Sequence, residues 1–182
     1  MKKIIITIIS FICLVSWNIK QKEKKSINQI ELTEKKEIKT EVKKEKQLIA
    51  YNFADTVAML ESSGKLDTIN RLGYIGLYQF GSQALKDLGV SKKRLLKMNK
   101  KEQTELFWRF VKLNKKYLTA KMGMDWLDIM NIYGYNNFQL IYACHRHGAG
   151  NVAIYLRGGV EHKDGNGKSI SQVKELFLST NF

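Results

Sequence analysis

The chain has 182 residues, which limits it to one domain with appendages. Hydrophobic residues make up 44% of it, enough for a core, and with no proline its turns fall to Gly, Asn, Asp and Ser. The formal charge of +14 suits an anionic partner: nucleic acid, a membrane surface or an acidic wall polymer.

Residues 1–17 pair a basic start, Lys2 and Lys3, with an apolar run from Ile4 to Trp17. That run is short for a membrane span and fits an export signal. Three fates fit the segment: a cleaved signal, lipid modification at Cys13, or an uncleaved anchor giving membrane attachment through the N-terminus. The protein is therefore expected to be exported, to the periplasm or cell envelope, and a leader of this kind argues against nucleic acid. If Cys13 is removed or lipidated only Cys144 remains, and no intramolecular disulfide is then expected.

Residues 18–48 form a Lys/Glu tract. Ile27, Ile30, Ile38 and Val42 are too sparse for a core, so the tract reads as a solvated tether with transient helix from Glu–Lys pairs. A coiled coil is disfavoured because the apolar spacing does not sustain heptads. The remainder, 49–182, is the expected folded domain.

In that domain Ile49, Phe53, Val57 and Leu60 recur at three and four, one face of a helix. Gly64 is a natural stop, which puts Glu61 in the last turn. There the helix terminus carries partial negative charge, and partial burial adds to the effect. Both favour a carboxyl that keeps its proton, as a general acid must. A loop with Gly73 and Gly76 follows, then Gln79 and a short helix from Ser82 to Gly89, with Ser82 as its cap.

Lys92, Lys93, Arg94, Lys97, Lys100 and Lys101 read as a solvated face. Lys100–Lys121 has helical spacing through Leu106, Phe107, Phe110, Val111, Leu113 and Tyr117. Trp126–Tyr133 is a further helix, broken at Gly134. Tyr133, Tyr135 and Phe138 belong to the core or a cleft wall. Phe138–His147 is another helix, ending at Gly148-Ala149-Gly150. His145 and His147 lie two apart and do not share a helix face, so no metal site is expected. A catalytic thiol at Cys144 is disfavoured, because sequence neighbours on a helix point apart. Asp164-Gly165-Asn166-Gly167-Lys168-Ser169 departs from a calcium loop at Lys168 and Ser169, and reads instead as a turn before a last helix, Ser171–Leu178.

Three blocks together resemble the lytic transglycosylases of the soluble type and their goose-type lysozyme relatives. These are Glu61-Ser62-Ser63-Gly64, then Gly73-Tyr74-Ile75-Gly76-Leu77-Tyr78-Gln79, then Ala143-Cys144-His145-Arg146-His147-Gly148-Ala149-Gly150-Asn151-Val152. Glu61 and Gln79 stand 18 positions apart, in the family's register. The resemblance covers roughly residues 49–180. Departures are Tyr78 where the family usually has Met, Gly81-Ser82 where it has Met-Pro, and His145-Arg146 where it has Tyr-Asn. A histidine can hydrogen-bond in that tyrosine's place, with a charge that depends on pH. Tyr142 and Tyr135 are alternative second residues of the site.

The resemblance implies a mainly α (α+β), lysozyme-like fold with a small irregular or β-hairpin lobe near Leu66–Leu77. It implies cleavage of the β-1,4 bond between N-acetylmuramic acid and N-acetylglucosamine in peptidoglycan. Glu61 is the expected general acid and base, with substrate contacts from Gln79, Tyr78, Gly76, His145 and Ser62. A minor glycan contact from Asn166 fits the same pattern. Neither metal nor cofactor is called for. The expected partner is the glycan strand, and the protein is expected to act as a monomer. A hydrolytic muramidase of the same fold, or a non-catalytic wall-binding protein, are the alternatives.

Overall fold

The structure is a computed structural model and describes residue 32 and residues 34–175. The leader at 1–17, most of the first half of the tether, and the end of the last predicted helix lie outside the described residues. By its contacts the chain divides into two units, Met1–Ile49 and Ala50–Phe182. In the first unit residues 34–49 are helical. Ile38 and Val42 are exposed there, as expected of a segment without a core. Among the described residues no helix is long and apolar enough to cross a membrane.

The second unit is mainly helical. Its helices are α1 (50–62), α2 (Ser82–Asp87), α3 (Lys92–Leu95), α4 (Lys100–Met122), α5 (Trp126–Tyr133), α6 (Asn137–His147), α7 (Ala149–Leu156) and α8 (Ile170–Glu175). Helix α4 is the axis: it packs on α5, α6 and α7, and α6 packs in turn on α7 and α8. The longer helices begin where polar caps satisfy their first N–H groups. Asn99 and Glu102 form a capping box on α4, Asn136 and Gln139 form one on α6, and Asp125 caps α5. Gly123 and Gly134 end α4 and α5 in the left-handed conformation.

Two helix details differ from the sequence reading. The buried stripe of α1 is Phe53, Ala54, Val57 and Ala58, while Leu60 is exposed. Phe53 stacks on Phe138 with ring centroids 4.5 Å apart, and this contact fixes which face turns inward. The cap of α2 is Gly81, and Ser82 is already helical with no side-chain cap bond.

The lobe between α1 and α2 is irregular. Among the described residues it holds only isolated bridges, Ile69 to Ile75 and Ile75 to Phe80. No hairpin ladder extends from them, because the chain turns back at Gly73 and again at Gly76, both at positive φ. The lobe is fastened by one buried side chain on α4. The Gln103 amide accepts from Leu77 N–H at 2.8 Å and donates to the carbonyls of Leu66 and Met98 at 3.0 and 3.2 Å. Gln103 has no exposed surface, so each of these bonds is made away from water.

Candidate functional site

Glu61 lies in the last turn of α1. The helix stops at Ser63 and Gly64, which have φ of 54° and 78°. The Ser63 and Gly64 N–H groups close back on the Met59 and Ala58 carbonyls. The left-handed turn therefore begins one residue before the glycine that marks it in the sequence. Ser62 is buried, and its hydroxyl donates to the Leu77 carbonyl at 2.8 Å, tying the end of α1 to the lobe. That tie aims the neighbouring Glu61 into a cleft of about 590 Å³.

Across the cleft stands α6. The Tyr142 hydroxyl donates to Glu61 Oε1 at 2.8 Å. It also accepts from Arg146 Nη1 at 3.3 Å, and Arg146 forms an ion pair with Asp164. Burial, and then the charge of Glu61, push the Tyr142 phenol above its ordinary range, so it keeps its proton and donates. Asp164 is partly buried, which opposes its charge. The backbone N–H groups of Lys168 and Asn166, with the Arg146 guanidinium, outweigh that and hold its carboxyl below the usual range. One Asp164 oxygen takes both N–H groups at 2.9 Å, closing the turn predicted at 164–169.

The cleft wall on the lobe side carries Gln79. Its backbone is left-handed, with φ of 48°. The Nε2 amide donates to the Gly76 and Thr68 carbonyls at 2.8 and 3.2 Å. Its Oε1 is buried and has no hydrogen-bond partner. The remaining wall comes from one face of α4, where Phe110, Asn114, Tyr117 and Lys121 follow each other at four, three and four.

Of the residues expected from sequence, Glu61, Gln79, His145 and Asn166 line the cleft. Three others do not. Tyr78 is a core residue with no exposed surface, stacked on Phe107 at 4.4 Å. Its hydroxyl pairs with Thr104 at 2.9 Å, and burial lifts the phenol to about 12. Gly76 is buried under Leu95 and Gln103, and Ser62 is used up by the lobe tie. Gly76 and Ser62 shape the site without facing it.

His145 is not the second polar contact to the acid; Tyr142 is. The His145 ring is packed edge-on against Phe80, Phe107 and Phe110. Burial lowers its pKa against the pull of Glu61 and a bond to the Tyr78 backbone, so it holds as a neutral ring. Burial thus disfavours the charge that was expected to depend on pH beside Glu61. Tyr135, the other alternative, is buried beneath the Lys174 ammonium, away from the cleft lining. The aromatic wall is Tyr74, Phe80, Phe110 and Tyr117, and Tyr133, Tyr135 and Phe138 are not part of it.

The sequence reading gave Arg146 only as a departure from the family and Asp164 only as part of a turn, assigned neither a place in the site, and did not name His162. His162 meets His147 with Nδ1 atoms 3.1 Å apart, both rings lining the cleft. Among the described residues no group of three or more His, Cys, Asp or Glu side chains could hold a metal. No protein family, curated protein or solved structure matches this chain.

Proposed function

We propose that the 50–182 unit is a lytic transglycosylase that cleaves the β-1,4 bond between N-acetylmuramic acid and N-acetylglucosamine in peptidoglycan. The observation that carries this reading is the setting of Glu61: a carboxyl at a helix end, facing a cleft of about 590 Å³ and gripped by a phenol that cannot easily lose its proton. Such a group delivers a proton at a fixed point in the cleft.

In this reading Glu61 gives its proton to the glycosidic oxygen as the bond to the muramyl C1 breaks. The N-acetylglucosamine end leaves with that proton. The resulting carboxylate then takes the proton of the muramyl 6-hydroxyl, and that oxygen closes on C1 as a 1,6-anhydro ring. No water is consumed and no protein nucleophile is used. The other carboxylates on the cleft support a lone acid. Asp164 is occupied by Arg146 and two backbone N–H groups, and Asp87 is exposed on α2, accepting from Gln83. A glycosidase working through two carboxyl groups needs both free to act.

The free Oε1 of Gln79 fits an N–H donor such as a sugar N-acetyl group. Tyr74 and Tyr117, both substantially exposed on the cleft, offer faces for sugar rings. Export to the cell envelope, tethering through the first unit and action as a monomer belong to the same proposal. The unit's positive charge suits an anionic wall.

The experiment is Glu61→Gln, which keeps the shape and removes the acid. Release of soluble fragments from purified peptidoglycan should fall on the order of 10² or more. Mass spectrometry of the wild-type products gives the reaction type, because anhydro-ended fragments are one water lighter than hydrolysed ones. Fragments carrying the extra water would make the enzyme a muramidase. Glycan binding without any product would make it a wall-binding protein.

A further inference from the structure

The Arg146 side chain is 15% exposed and that of Asp164 is 9% exposed. A guanidinium so far withdrawn from water needs partners, and it has two: the Asp164 carboxylate and the Tyr142 hydroxyl. Its carbon also lies 5.7 Å from the Tyr142 ring centre.

With Glu61 ionised, the direction of every bond in this chain is set. Arginine only donates, and an ionised carboxylate only accepts. Between Arg146 and Glu61 the hydroxyl has one proton, which goes to Glu61 Oε1. We infer that Arg146, clamped by Asp164, is a positioning residue for the acid: it fixes the Tyr142 hydroxyl as a donor to Glu61 and so decides which oxygen delivers the proton. Oε1 is engaged as an acceptor, which leaves Oε2 to carry the transferable proton. This deepens the transglycosylase reading and rests on it for the role of Glu61.

The two charges of the clamp act on the acid in opposite senses. Arg146 stands one hydroxyl from Glu61 with a positive charge, and Asp164 stands beyond it with a negative one. Other titratable groups face the cleft: His145 and His147 on α6, Asp87 on α2, Tyr117 and Lys121 on α4, Tyr74 and His162 on the loops. Substitutions in the clamp leave all of these in place.

The test is a carbon-13 NMR titration of the Glu61 carboxyl in the full chain, alongside the pH–rate profile on peptidoglycan. Arg146→Gln should move the midpoint, and the alkaline limb of the rate profile, to higher pH by about 0.5 to 1 unit. Asp164→Asn should move both to lower pH by a similar amount. Asn keeps the oxygen that closes the 164–168 turn, so the loop is preserved. The double variant should return close to wild type, and it removes the unpaired buried charge that could unfold Arg146→Gln. Arg146→Lys keeps the charge and loses the fork. It should titrate near wild type but turn over more slowly.

Shifts of the same sign in Arg146→Gln and Asp164→Asn overturn the inference, as does a Lys variant that titrates like the Gln variant. The titration needs no substrate. A protein that shifts as described but releases nothing from peptidoglycan sinks the functional reading and spares the clamp. An unmoved titration in an active enzyme does the reverse.

Discussion

The Tyr142 hydroxyl and Glu61 Oε1 are joined at 2.8 Å across 81 residues of chain. Tyr142→Phe removes that donor while keeping the ring that packs against His145. A hydrogen bond to a charged group is worth roughly 1.5–3 kcal/mol, which converts to about 10- to 100-fold in rate if it is lost from the transition state. Steady-state kinetics on peptidoglycan should show that fall, and the thermal midpoint should drop with it because Arg146 Nη1 loses its acceptor. A variant as fast as wild type would remove Tyr142 from the mechanism.

Gly76→Ala should destabilise the lobe. The backbone there is left-handed, with φ of +80°, and a Cβ would fall 2.6 Å from Gln103 Oε1. Gln103 cannot swing aside without dropping its bond to Leu77 N–H. Strain and the lost bond together predict about 1–3 kcal/mol, read as a lower denaturant midpoint. An unchanged midpoint would mean the amide has slack that its bonds conceal.

Gln103→Leu should be more damaging than its position suggests. It orphans the Leu77 N–H and the Leu66 carbonyl, both bonded only through this amide among the described residues. Each orphan costs about 1–3 kcal/mol if it stays dry. Activity should fall with stability, because the Ser62 tie that aims Glu61 ends on the Leu77 carbonyl of the same lobe. Hydrogen exchange at residues 66–80 would locate the opening.

Acid should unfold the domain through His147. Burial, and after it the pull and push of Asp164 and His162, leave its pKa at about 4 against an ordinary value near 6.5. The folded state therefore binds fewer protons than the unfolded chain in that window. Stability is full above about pH 6.5 and falls as the pH drops towards 4, with a slope of about 1.4 kcal/mol per unit from this one group. His147→Gln should flatten the pH dependence of the urea midpoint between those limits. An equally steep variant would assign the loss to other groups.

The helices were legible because their signals are local. The apolar spacing read from Leu106 to Tyr117 marked α4, and Leu106, Phe107, Phe110 and Val111 are buried along it while Tyr117 is exposed; the caps Asn99, Asn136 and Asp125 were not read. Glu61 and Gln79 were legible from motif and interval. Tyr78 was misassigned because a loop residue has no period to tell inward from cleftward, and its ring turned to Phe107. The lobe takes the irregular of the two expected forms, because two left-handed glycines within four residues turn the chain before a ladder can grow. Tyr142 and Arg146 share an α6 face at a spacing of four, so their pairing was in principle readable. What they meet was not. Glu61 and Asp164 reach them from opposite ends of the unit, and no local rule brings distant segments together.

One buried atom makes the domain report on itself. Cys144 has no exposed surface, and burial lifts its thiol to about 12. A thiol that is neither reachable nor ionised does not react with alkylating reagents or oxidants while α6 stays packed. It is the sole cysteine after residue 13. Labelling of the 50–182 unit by iodoacetamide therefore counts openings of its core, and it does so without any engineered probe.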